Sequence, residues 1–344
     1  MTLTKKRLNN IFFLIGLTAC IVMLITFDVS FIELWGHLKR AGYWLIPILG
    51  IWIVIYAINA LAWRSVIKGN TDPHEHVSFP RLLKLTVSGY ALNYATPVGG
   101  LGGEPYRIME LSRDISKEHA TSSVILYAMM HMVAHFCLWF SSIFLYIALW
   151  LIGDLPMSTT MALALAFILA LSSLLIYFFA KGYRNGFVTK LLLFLGKIPG
   201  LKGWAARTYE KHKETLQNVD RQIAALHKQD KRHFYNALLL EYLSRIVQAL
   251  EIMFMLLLLG ENCGGGLAGY TLVFLHSVLI LSLTTLMANL VGFLPMQIGV
   301  QEGGFVLSIA AMGLSAATGI FVSIICRVRE LIWIFIGIML MKKE

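Results

Sequence analysis

Seven stretches of this chain are apolar and long enough to be read as membrane helices: Ile11 to Phe27, Tyr43 to Ile67, Ser122 to Ile152, Thr160 to Ala180, Phe234 to Leu259, Leu267 to Val291 and Ala316 to Met341. A helix needs about 17–25 such residues to cross a hydrocarbon core about 30 Å thick. Lipid offers no hydrogen bonds, so backbone inside it must be helical or closed into a barrel, and segments of this length select the helix. The expected fold is all-α, a polytopic integral membrane bundle forming one transmembrane domain over residues 1–344. Composition agrees: with 58% hydrophobic residues, 14% charged residues and a mean hydropathy of +0.71, a soluble domain could not hide so much apolar surface.

The N-terminus imitates a lipoprotein signal, with Lys5, Lys6 and Arg7 before an apolar run that reaches Cys20. The apolar run continues through Ile21 to Ile25, whereas an acylated cysteine should be followed by polar sequence, so Ile11 to Phe27 is read as a first membrane helix. Cys20, Cys137, Cys263 and Cys326 have no paired spacing, which gives no disulfide framework or zinc knuckle. No cofactor is expected.

Charge sets the orientation. Residues 181–232 hold twelve Lys/Arg against four acids and account for eight of the chain's ten net positive charges. The positive-inside rule places this basic connector, and both termini, in the cytoplasm. The connector lacks interleaved aromatics and a recognisable fold, so nucleic acid is not an expected partner. A first half-repeat of about 43–152 and a second of about 234–341 flank it.

Two irregular regions share a pattern. In each, an asparagine (Asn93, Asn289) lies upstream of a proline (Pro97, Pro295), a glutamate follows seven residues after the proline (Glu104, Glu302), and glycines lie between and around them (Gly99, Gly100, Gly102, Gly103; Gly299, Gly303). Proline removes a backbone donor and glycine permits positive φ, so both are expected helix breaks. The apolar pieces beside them, Leu82 to Ala95 and Val300 to Gly313, are short for a crossing. With the orientation above, the first break enters from the cytoplasm and the second from outside. This reads as a degenerate inverted repeat: about six full crossings plus two re-entrant broken elements, with eight crossings as the alternative. Broken helices meeting at mid-membrane expose backbone N–H groups that attract anions.

Charges inside apolar segments mark the candidate site, because each costs roughly 2.5–3.5 kcal/mol at the bilayer centre. Glu104 and Arg107 share a helical face, and Glu302 can meet Arg327 and Glu330 on the last segment. With Asn93 these form the candidate substrate-binding set, the arginines suited to phosphate and the carboxylates to a cationic headgroup; a purely structural ion-pair network is the alternative. Glu241 and Arg245 read as a pair snorkelling near a helix end, with Glu251 deeper. His131 and His135 have the i, i+4 spacing of a zinc-protease helix, but Met132 stands where the general base belongs, so they read as polar core residues and no metal site is expected.

The Gly99-to-Arg107 element, the Leu294-Pro295-to-Gly303 element and the Ile324-to-Glu330 helix together resemble the transmembrane region of the lysylphosphatidylglycerol synthase/flippase family. The chain departs from the full synthase in ending at Glu344 with no soluble transferase domain, and from the usual second turn in carrying Met296, Gln297 and Ile298. The resemblance implies an inner-membrane protein that binds and translocates a phospholipid with a charged headgroup, with a separate lipid-modifying enzyme as a partner. An intramembrane transferase on a lipid-linked donor and a small-solute transporter remain the alternatives.

Overall fold

The computed structural model describes residues 31–69, 77–95, 102–185, 189–190, 231–261, 264–290 and 299–342, with scattered positions between 196 and 221. The expected first helix, Pro97, Gly99, Gly100, Pro295 and most of the basic connector lie outside these residues. Helices α1 (Phe31–Ala41) and α2 (Leu45–Lys68), joined by the 3-10 turn Gly42–Trp44, are followed by α3 (Phe79–Ala95), α4 (Glu104–Leu111), α5 (Lys117–Leu151) and α6 (Thr159–Asn185). After the connector come α7 (Lys231–Leu258), α8 (Gly266–Leu290), α9 (Val300–Ala311) and α10 (Ala316–Lys342). No strand occurs among the described residues, and the chain is an all-α membrane bundle.

Among the described residues, four helices are long and apolar enough to cross a membrane: Trp35–Lys68, α5, Thr159–Lys181 within α6, and α8. At 28 and 27 residues α7 and α10 also have the length. Apolarity alone does not single them out, because α7 carries Glu241, Arg245 and Glu251 and α10 carries Arg327, Arg329 and Glu330. All six of these side chains belong to residues buried in the bundle. Helix α1, which has no counterpart among the expected segments, rests His37 and Arg40 on Phe321 of α10, and its Trp35 together with Tyr43 of the following 3-10 turn forms an exposed aromatic edge. Such a belt suits a membrane–water interface.

A long helix, a break, a short helix and a second long helix occur twice in the order of elements, as α3–α4–α5 and α8–α9–α10. The limbs differ in length. Helix α3 has 17 residues and α8 has 25, so the second break is approached by a helix long enough to span rather than by a short dip. His276 on α8 is bonded to Asp154 in the α5–α6 turn, and Leu290 lies fourteen residues further, about 20 Å at 1.5 Å per residue.

Helix α10 receives both short arms on one face. Gly319 lies against the backbone of Phe305 and Val306 on α9, and Gly337 against Ala91 and the Val87 carbonyl on α3. These glycines are about five turns apart and therefore point the same way. Helices in lipid associate through close packing rather than water exclusion, which is why small residues sit at the contacts. Ser88 adds a hydrogen bond to the Gly337 carbonyl at 3.1 Å.

The two largest apolar clusters among the described residues lie at opposite ends of the bundle. One gathers Trp63, Leu82, Leu85, Tyr106, Tyr127 and Phe234 at one end of α2 and α7; the other gathers Leu138, Ile252, Met255, Phe305, Phe321 and Ile325 at the other. The polar residues described next lie between them.

Candidate functional site

The first break is closed by Asn93. Its side-chain oxygen accepts the Gly103 N–H at 2.6 Å and its amide donates to Glu104 at 3.2 Å, joining the end of α3 to the start of α4. Pro105 occupies the first turn of α4, where a missing N–H costs nothing. One helical turn on, Arg107 pairs with Glu104 at 2.9 Å and donates to the Thr86 carbonyl at 3.2 Å. Its guanidinium lies 4.7 Å from the centre of the Tyr90 ring, with Tyr127 and Trp63 also within cation–π range. Arg107 is 1% exposed, whereas the Glu104 side chain is 14% exposed.

Glycine makes this approach geometrically feasible. A Cβ on Gly89 would overlap the Arg107 guanidinium, and one on Gly103 would overlap the Gly89 carbonyl. Gly103→Ala should therefore destabilise the protein by about 1–3 kcal/mol, as overpacking does where the neighbour is backbone that cannot yield. At Gly303 a Cβ would meet nothing within 4 Å. Gly303→Ala, inside α9, should be neutral or stabilising by up to about 1 kcal/mol through helix propensity. Unfolding titrations in mixed micelles would compare the two, and an equal response would show that this packing contact is unimportant.

The second break presents its own carboxylate. Gly299 ends the break at φ +82°, a conformation that favours glycine, and its N–H donates to Glu302 at 2.8 Å. Glu302 also receives Arg327 at 2.6 and 3.2 Å, so one carboxylate both caps α9 and holds α10. Arg327 reaches back to Glu330 at 2.9 Å, and Gln301 donates to Glu330 at 2.8 Å. The Glu302 side chain is 32% exposed and that of Arg327 3%. Asn289 does not repeat the role of Asn93, since it bonds back to the Thr285 carbonyl of its own helix.

The six candidate residues thus fall into two clusters, Asn93–Glu104–Arg107 and Glu302–Arg327–Glu330. Both approach α10. The end of α3 packs Ala91, Ala95 and Tyr94 against Leu331, Ile334 and Ile338, immediately beyond Glu330.

Helix α7 supplies polar groups to each side. Toward the first cluster, Glu241 and Arg245 meet His131: its Nδ1 lies 2.8 Å from Glu241, 2.9 Å from Arg245 and 2.9 Å from the Tyr90 hydroxyl. The Tyr90 hydroxyl is in turn 3.2 Å from that of Tyr127. Snorkelling is not what this pair does. Glu241 is fully enclosed and Arg245 nearly so, with His131 and Gln248 as partners inside the bundle, while Glu241 Oε1 and Arg245 Nε are buried without a hydrogen-bond partner. Toward the second cluster, Glu251 takes Arg329 at 2.7 Å and the Trp52 indole N–H at 2.9 Å, while Arg329 lies 4.0 Å from the Trp52 ring centre.

Sequence reasoning missed Gly89, Tyr90, Tyr127 and Trp52 as members of these networks and assigned no partner to Arg329, one of the charges inside the last apolar segment. One signal was available. Arg327 and Arg329 are two positions apart, roughly 200° around a helix, so they must serve different neighbours. His131 and His135 pack ring against ring at 5.4 Å, and among the described residues no three His, Cys, Asp or Glu side chains are grouped to hold a metal ion.

Comparison with known proteins adds one finding. The family model described as the lysylphosphatidylglycerol synthase TM region matches residues 11–337. Neither the curated proteins nor the solved structures give a match.

Proposed function

The chain belongs to the lysylphosphatidylglycerol synthase transmembrane-region family, and from that premise we propose that it binds a phospholipid with a charged headgroup at its helix breaks and passes it across the membrane. Family membership supports a membrane protein concerned with lipid. The observation that carries the finer reading is Glu302, a partly exposed carboxylate held at a helix N-terminus by a buried arginine.

A carboxylate there is a resident stand-in for phosphate. Arg327 offers a planar fork suited to two oxygens, and the start of α9 favours negative charge. An arriving lipid phosphate takes over Arg327 while Glu330 keeps that arginine in place. Displaced Glu302, already near solvent, turns to a cationic group on the same headgroup. Glu104 and Arg107 repeat the device at the first break, where Glu104 Oε2 is buried with no hydrogen-bond partner. With the termini in the cytoplasm of a bacterial inner membrane, the breaks open from opposite sides, as alternating access requires. A lipid-modifying enzyme that supplies the headgroup is the partner this reading calls for.

The test is a leaflet assay in proteoliposomes containing zwitterionic, anionic or aminoacylated phospholipid. The expected result is movement of one charged class well above protein-free vesicles. No movement of any lipid by folded protein would overturn the proposal, and turnover of lipid without change of leaflet would favour a transferase.

A further inference from the structure

Away from both breaks, the last turns of α2 and the first turns of α7 enclose a cleft of about 640 Å³. Arg64, Lys68, Arg232 and His233 line it together with Ser65 and Asn236, and among the described residues no carboxylate does. Hydrogen bonds between the helices build its floor: Ser65 donates to the His233 carbonyl at 3.2 Å, and Asn236 donates to the Ser65 hydroxyl at 3.1 Å. Arg64 is aimed inward, its Nε buried without a hydrogen-bond partner. Arg64, Lys68 and Arg232 have no ion-pair partner among the described residues. Three cations lining one cleft repel one another, and an anion bound between them relieves that repulsion.

The walls indicate which anion. Leu61 lies one turn along α2 from Arg64, and Leu240 one turn along α7 from Asn236; both line the cleft on its deeper side. Leu61, Leu239 and Leu243 are exposed on the outer surface beside it. The cleft therefore runs from a basic rim to an apolar flank, which matches a phosphate with acyl chains below it and does not match a fully soluble ion.

We propose that this cleft binds the phosphate of an anionic phospholipid at the membrane surface, as a second lipid site separate from the helix breaks. The site requires no translocation, and it stands or falls independently of the function proposed above. Neutralising its three unpaired cations should remove most of the affinity, since each basic residue near an anionic surface contributes to a product of roughly fivefold factors.

The experiment is native mass spectrometry of the full chain in detergent, titrated with phosphatidylglycerol or with phosphatidylcholine of the same chain length. The variant Arg64→Gln/Lys68→Gln/Arg232→Gln should bind phosphatidylglycerol on the order of a hundredfold more weakly, with phosphatidylcholine unaffected. Should the triple variant fail to fold, Lys68→Gln/Arg232→Gln changes two exposed side chains and should still show a drop of at least tenfold. Wild-type binding of phosphatidylglycerol by either variant would overturn the proposal. Competition by glycerol 3-phosphate as effective as the lipid itself would overturn it too, by assigning the cleft to a free phosphate compound. The triple variant should still move lipid between leaflets at the wild-type rate, which separates a failure here from a failure of the translocation reading.

Discussion

Arg327→Gln should abolish movement of the charged lipid while leaving most of the protein folded. The two consequences separate because the partners of Arg327 differ. Glu302 is 32% exposed and can be rehydrated when its cation is removed. Glu330 is buried but retains the Gln301 hydrogen bond and lies 3.7 Å from Arg329. Breaking a wholly enclosed pair typically costs about 3–5 kcal/mol, so this substitution should fall at or below the lower end of that range. On the proposed mechanism transport has no such reserve, because the forked donor that exchanges Glu302 for a lipid phosphate is gone. Arg327→Lys sharpens the test. It keeps the charge but cannot hold Glu302 and Glu330 in the same planar arrangement, so movement should fall at least about tenfold. Wild-type leaflet exchange by Arg327→Gln would remove this arginine from the mechanism.

How much of this was legible in the sequence depends on the range of the interaction. Helix positions follow from local apolarity, so Ala316 to Met341 and Leu267 to Val291 agree with α10 and α8 to within a residue or so. The short pieces beside the breaks likewise became α3 and α9. Glu104 with Arg107 is readable from i, i+3 spacing, and Glu302 with Arg327 from the need of each intramembrane charge for a partner. What spacing could not disclose is which helices touch. Glu251 meets Arg329 across 78 positions and Trp52 across 199, and nothing local to any of them predicts that meeting. Gly89 was invisible for a related reason: its value lies in the absence of a side chain beside Arg107, which matters only once α4 has folded against α3.

The Glu251–Arg329 pair should behave as structure rather than as mechanism, and a double variant can show it. Both residues are almost completely enclosed, with side chains 2% and 5% exposed, and their contacts include each other, Glu330, Trp52 and the Cys326 thiol. Glu251→Leu strands the Arg329 guanidinium with Glu330 at 3.7 Å as its remaining ion-pair contact, and should cost about 3–5 kcal/mol. Adding Arg329→Met removes the stranded charge and fills a similar volume. Buried pairs replaced by packed apolar residues are often neutral in stability, so the double variant should recover to within about 1 kcal/mol of wild type. Its lipid movement should remain within tenfold, because Arg327, Glu302 and Glu330 are untouched and Gln301 still orients Glu330. Unfolding in mixed micelles and the leaflet assay on the same preparations read the two effects separately. A double variant that regains stability yet moves no lipid would extend the headgroup site along α10 to Arg329, and would make α7 part of the pathway instead of its support.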